Sequence, residues 1–189
     1  KIQIDGLNRK WMATQSNGIS RLNGATWTNY TTSNSGLPNN AINDIAVDGL
    51  NNLWVATASG LSKFNGTTWT TYNSLTNINS VATDSNNGVW ISTGNLLYKF
   101  NGTDFDIITD GVQKILRIAN NTIYIDAFDG LMTYTINGGA YDLYFQSTSC
   151  LAGYQLNALD VNNNNKVWIA FQGEGLQNFT DCISYTSNS

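Results

Sequence analysis

Arg117, Asp126, Asp129, Gln172 and Glu174 stand out in a sequence whose polar positions are filled mostly by Asn, Thr and Ser. Only 12% of the 189 residues are charged, so a charge that departs from the local pattern calls for an account. A cation with acids and amides around it can hold a polar or anionic ligand through charge-assisted hydrogen bonds, or close on itself as an ion pair. The chain has no histidine. That removes Ser-His-Asp and Cys-His nucleophiles, histidine-ligated zinc and the commonest general base at neutral pH. Asn137-Gly138-Gly139-Ala140 lacks the lysine and helix of a phosphate-cradling loop. A carboxylate pair is the one catalytic device left, so a hydrolase or lyase acting on polysaccharide is the least favoured reading. The expectation is a protein that is not an enzyme and needs neither cofactor nor metal.

The remaining composition narrows the field further. Nine Lys and Arg against thirteen Asp and Glu give a net charge of −4, with no basic cluster of the kind that binds nucleic acid. No apolar run approaches the ~20 residues of a membrane span. DVNNNNK (160–166) and DSNNG (84–88) each hold a single carboxylate, too few for a hard-cation loop, and read as Asn-rich turns. Two cysteines, Cys150 and Cys182, leave a disulfide and a pair of free thiols equally open. An Asn/Thr-rich, lysine-poor surface fits a secreted, cell-surface or periplasmic protein.

The elements that must position the candidate residues announce themselves by repetition. RLNGATWTNY (21–30), KFNGTTWTTY (63–72) and KFNGTDFDII (99–108) are one phrase written three times. Around it, IAVDGLNNLWVATASGLSKFNGTTWTTY (45–72) aligns with residues 2–30 and 81–108, and more loosely with 115–144 and 158–187. The anchor aromatics Trp11, Trp54, Trp90, Tyr124 and Trp168 stand 34 to 44 residues apart. Each copy splits into four short β segments at turn signals, and Asn65-Gly66 reads as a two-residue type I′ hairpin turn. Asp5, Asp48, Asp84 and Asp160 recur before the first turn, where a carboxylate can accept backbone N–H bonds.

Leu53-Trp54-Val55-Ala56 shows no polar alternation, so that strand needs cover on both faces. A lone four-stranded sheet cannot bury either face; stacking on copies of itself does. The expected fold is therefore all-β, a β-propeller of four-stranded antiparallel blades spanning roughly 1–34, 41–74, 77–109, 112–147 and 155–187. Trp27, Trp69 and Phe105 on the fourth strands are expected to pack between sheets. Five blades closing a ring and five blades excerpted from a larger one both stay open, the second being favoured, with further blades or domains flanking the chain.

These runs resemble the two-component-regulator propeller repeat. In that family a blade carries Asp, a Gly/Asn turn, Leu or Ile before Trp, a Gly-Leu, then Lys/Arg-Phe/Tyr-Asn/Asp-Gly. The likeness is strong in the first three copies. Small residues Ala13, Ala56, Ser92 and Ala170 replace a family Gly, and Tyr124 replaces the Trp in copy four. The resemblance implies an extracytoplasmic propeller: the ligand-sensing half of a hybrid two-component receptor, or a stand-alone secreted protein. In propellers the loops joining strands two and three share a face where ligands usually bind. Gln15-Ser16-Asn17, Asp126, Asp129, Gln172 and Glu174 are expected there, with Arg117 on the innermost strand of the fourth blade. The functional expectation is a non-catalytic propeller binding a glycan or a protein partner through that face. The alternative is a structural or adhesive segment of a large surface protein.

Overall fold

The structure, a computed structural model, describes residues 1–128, 130–145, 151, 156–173 and 175–179. They form nineteen strands in five antiparallel sheets, with no helix among the described residues. The first sheet holds β1 (Ile2–Ile4), β2 (Lys10–Ala13), β3 (Ile19–Asn23) and β4 (Thr26–Tyr30). The second holds β5 (Ile42–Val47), β6 (Leu53–Thr57), β7 (Gly60–Phe64) and β8 (Trp69–Tyr72). The third holds β9 (Ile78–Thr83), β10 (Val89–Thr93), β11 (Leu96–Phe100) and β12 (Phe105–Asp110). The fourth holds β13 (Val112–Ala119), β14 (Thr122–Ala127), β15 (Gly130–Thr135) and β16 (Tyr141–Phe145). Of the fifth, β17 (Leu156–Val161), β18 (Val167–Phe171) and β19 (Gly175–Asn178) are described. In every sheet each strand pairs with its neighbour in sequence, which is the meander of a propeller blade. The fold class is the expected one, a β-propeller. The chain divides into two compact units, Lys1–Asp110 and Gly111–Ser189.

In the first unit the reason for the repeat is visible in the packing. Every residue of β6 and β10 is buried. Alternate residues of the second sheet serve two cores. Ile45, Leu53, Val55 and Phe64 pack with Trp11 and Ile19 of the first sheet, and Ala46, Trp54, Ala56 and Leu61 with Ile78, Val81 and Ile91 of the third. Aromatic rings bridge the sheets: Tyr30 meets Phe64 at 5.5 Å and Tyr72 meets Phe100 at 4.7 Å. The second unit repeats this bridge, with Tyr144 edge-on to Phe179 at 4.9 Å.

The repeated acid is the hub of each blade in the first unit. Asp5, Asp48 and Asp84 each accept a hydrogen bond from the indole Nε1 of the tryptophan six residues on, at 2.8, 3.0 and 2.8 Å. The other carboxylate oxygen takes the amides two and four residues on: Leu7 and Arg9, Leu50 and Asn52, Asn86 and Gly88. Above the indole lies a third-strand cation. Lys63 Nζ stands 5.0 Å from the Trp54 ring centre, Lys99 Nζ 5.1 Å from Trp90, and the Arg21 guanidinium 5.6 Å from Trp11. Turn, anchor and cation thus form one unit of acid, indole and base, in which a buried charge has its hydrogen bonds filled.

Four expectations need correction. Asp160 is not the turn acid of the fifth blade. It lies within β17, and Asn162 stands at the turn, accepting the amides of Asn164 at 3.0 Å and Lys166 at 2.9 Å. Asn162 is six residues before Trp168, the spacing that Asp48 has to Trp54. Asn65-Gly66 is not a two-residue turn. The loop between β7 and β8 has four residues, only Gly66 of the pair takes a positive φ (103°), and the Asn65 side chain accepts the amides of Thr67 and Thr68. Trp27 is exposed rather than packed, although Trp69 and Phe105 do pack between sheets. Asp126 belongs to β14 and not to the loop beyond it.

Candidate functional site

The second unit holds the residues that break the pattern. Strand register puts Ala13, Ala56, Ser92, Asp126 and Ala170 at one position of the repeat, each beside Ile or Leu on the third strand. A carboxylate therefore occupies a slot that elsewhere admits only Ala or Ser. Opposite it on the innermost strand stands Lys114, where the second and third sheets have Asp44 and Ser80. Burial pushes the Asp126 carboxyl up to about 6, and the Lys114 charge opposes that rise. No described residue hydrogen-bonds to this carboxylate. Asp44 makes the contrast: buried on the innermost strand of the second sheet, it is held by Lys1 Nζ at 2.6 Å and by the amides of Ile45 and Val81. Asp44 has its charge and hydrogen bonds answered, whereas burial works against the charged form of Asp126.

Arg117 lies on β13, as expected for the innermost strand, and its placement has a local cause. This strand carries two irregularities in its pairing with β14, between Val112 and Lys114 and between Ile115 and Arg117. The other first strands show at most one. A bulge re-aims the side chains that follow it. Arg117 Nε stands 3.3 Å from Asp160 Oδ1 on the neighbouring β17, both side chains well exposed at 51% and 77%. Across the ladder Arg117 sits opposite Tyr124. The Tyr124 hydroxyl is pushed up by burial and by the nearby Tyr144.

Phe128, exposed, begins the connection from β14 to β15, and Gln172, also exposed, begins the corresponding connection from β18. Both lie at the end of their sheets where Asp126 and Lys114 are found. Asp129, Glu174, Cys150 and Cys182 lie outside the described residues. Gln15-Ser16-Asn17 is in the first unit, in a turn closed by Thr14, whose hydroxyl accepts the Asn17 amide and donates to the Gly18 carbonyl. The second unit thus brings Asp126 and Lys114 to one end of the ladder and Arg117 and Asp160 toward the other. Sequence reasoning left Lys114 out of the candidate site and took Asp160 for a turn acid. The signal for Lys114 was there: like Arg117, it is a cation on a first strand whose counterparts carry none.

Comparison with known proteins bears on the fold. Residues 36–59 match the two component regulator propeller family. That segment contains β5, β6 and the Asp48–Trp54 hub described above. The structure is similar to the extracellular domain of the hybrid two component system BT3049 from B. thetaiotaomicron, at 18% identity and a TM-score of 0.80 over 100% of this chain and 28% of that one. It is also similar to the extracellular domain of the one component system BT4673 of the same organism, at 14% identity and a TM-score of 0.71 over 94% of this chain and 30% of that one. A third likeness is to virginiamycin B lyase from Staphylococcus aureus, at 12% identity and a TM-score of 0.74 over 94% of this chain and 64% of the lyase. At these identities the likeness is one of fold. The chain spans under a third of the length of the two extracellular domains. No curated protein matches it in sequence. No helix among the described residues is long and apolar enough to cross a membrane, and none of their acidic or sulfur side chains cluster as a metal site.

Proposed function

We propose that the chain is the ligand-binding part of an extracytoplasmic β-propeller and that it binds without catalysis. Its ligand is a glycan, held at the end of the second unit that carries Asp126, Lys114, Phe128 and Gln172. The observation behind this reading is Asp126 itself: a half-buried carboxylate, raised to about 6, in a slot that three other blades fill with Ala and one with Ser. Packing gives no reason for it, since Ala serves the same slot elsewhere. An acid, a cation and an amide can share the hydroxyls of a sugar ring, and an exposed Phe offers a face for stacking. Extracytoplasmic placement, whether secreted, cell-surface or periplasmic, is supported by the Asn/Thr-rich composition and by the likeness to two extracellular domains.

Calorimetric titration of the chain with neutral and acidic oligosaccharides tests this. Binding that disappears in Asp126→Ala supports the site; binding that survives unchanged places it elsewhere. Absence of binding across the series would remove the glycan.

A second reading has its own observation. Arg117 and Asp160 already answer each other's charge, as they would in a segment that only spaces or presents other domains. That reading expects Asp126→Ala and Arg117→Ala to leave every partner's binding unchanged.

A further inference from the structure

The first sheet has two faces of unequal fate. One face, with Trp11, Ile19 and Tyr30, lies in the core shared with the second sheet. The other carries Ile2, Ile4, Leu22 and Trp27, and there Ile2, Ile4 and Trp27 are 66%, 59% and 57% exposed. Register matches these four to Ile45, Val47, Phe64 and Trp69 of the second sheet, all of which pack against the first. The same positions of the third sheet are Val81, Thr83, Phe100 and Phe105. Val81, Phe100 and Phe105 pack on the second sheet, and the Thr83 hydroxyl donates to the Val47 carbonyl at 2.9 Å. The exposed face is therefore the next member of an interface used twice within this unit.

A polar contact repeats in step. Asn8, Asn51 and Asn87 hold the same left-handed turn position, with φ of 60°, 64° and 64°. Asn51 Oδ1 accepts the Gly6 amide of the preceding sheet at 2.7 Å, and Asn87 Oδ1 the Gly49 amide at 2.7 Å. Asn8 is exposed, and its side chain meets no partner among the described residues.

We propose that the outward face of the first sheet is a blade interface, occupied by a further sheet of this same repeat preceding Ile2 in the polypeptide. The occupant's chemistry follows from the two filled copies. Its first turn presents a Gly amide to Asn8, as Gly6 does to Asn51. Its fourth strand ends in a tyrosine that covers Leu22 and Trp27, as Tyr30 lies 5.5 Å from Phe64 and 5.4 Å from Trp69.

The chain carries a suitable occupant to test this with. A copy of residues 42–79 joined ahead of Lys1 brings Gly49 and Tyr72 into register, because Ser80 is the residue that Lys1 matches in the repeat. The extended chain is expected to remain a monomer, to gain hydrogen-exchange protection over Ile2–Ile4 and to shield Trp27 from acrylamide. Asn8→Gly keeps the left-handed turn and removes only the acceptor. It should lower the Tm of the extended chain by about 2 °C and leave the unextended chain within about 1 °C. No gain in protection, or an equal effect of Asn8→Gly on both chains, would overturn the proposal. Light scattering and Trp27 quenching of the unextended chain decide the case even if the extension misfolds. A monomer with an accessible Trp27 is expected, whereas a dimer or an already shielded Trp27 would mean another occupant.

Discussion

Residues 1–110 and 111–189 fold the same strand plan to different ends. In the first unit every blade repeats the acid, the indole and the cation above it, and each turn acid takes its hydrogen bonds from the same places. In the second unit the pattern loosens. Asn162 replaces the acid, Tyr124 replaces one indole, and Trp168 is 39% exposed where Trp11, Trp54 and Trp90 are buried. Thr133 and Asn178 stand where the cations would be. The same stretch acquires an acid in an Ala slot and a strand with two pairing irregularities. Where the phrase repeats, it mostly serves packing between sheets, and the second unit departs from it at the acid, one indole and the cation.

That contrast can be broken by mutation, and the tryptophans should break it hardest. Trp54→Ala empties a buried site and strands Asp48, and is expected to cost about 3–5 kcal/mol in chemical denaturation. Trp168→Ala, at a half-open position, should cost less than half of that. Equal losses would mean that both units depend on the anchor alike. Next come the turn residues. Asp48→Ala leaves the Trp54 indole and the Asn52 side chain without their acceptor and should cost about 2–3 kcal/mol. Asn162→Ala removes bonds to exposed amides only and should cost about 1 kcal/mol or less.

The acids of the two units also respond to pH with opposite signs. Burial raises the Asp5 carboxyl, but the Trp11 indole and the Arg9 amide and guanidinium together outweigh it and hold the group below its ordinary value. Its contribution is present above the unfolded value and is lost as pH falls through the lower folded one. Asp126, raised to about 6, binds a proton in the folded state that the unfolded chain has released. Stability should therefore fall as pH rises from the ordinary carboxylate value to about 6, then level off. Discounted for partial exposure, the change is about 1 kcal/mol. Melting curves against pH should show each slope vanish in Asp5→Asn and Asp126→Asn respectively. The smallest effect belongs to Arg117→Ala, which breaks an exposed pair and should change stability by about 0.5 kcal/mol or less.

Much of the first unit was legible from the chain because its signals are local. An Asp followed six residues later by Trp, an apolar run without alternation and a Gly-Leu before a cation each report on neighbours a few residues away. Copies of that phrase then reinforce one another. Asp160 misled because two residues of Asn-rich sequence shift the turn without changing its composition; only the amide bonds to Asn162 fix the register. Asn65-Gly66 has the residues of a tight turn, but the Asn side chain caps a four-residue loop instead. Trp27 looks like its counterparts in sequence, and its exposure depends on which sheet lies beyond it. The pairing of Arg117 with Asp160 rests on a bulge, which no spacing in the sequence announces.

The thermal melt of Asp126→Ala at pH 7.5 bears most directly on the division between packing and function. If Asp126 is kept for something other than the fold, giving its slot the residue found in three other blades should raise the Tm, by about 2–4 °C. A fall in Tm would contradict the account, because the acid would then be part of what holds the second unit together.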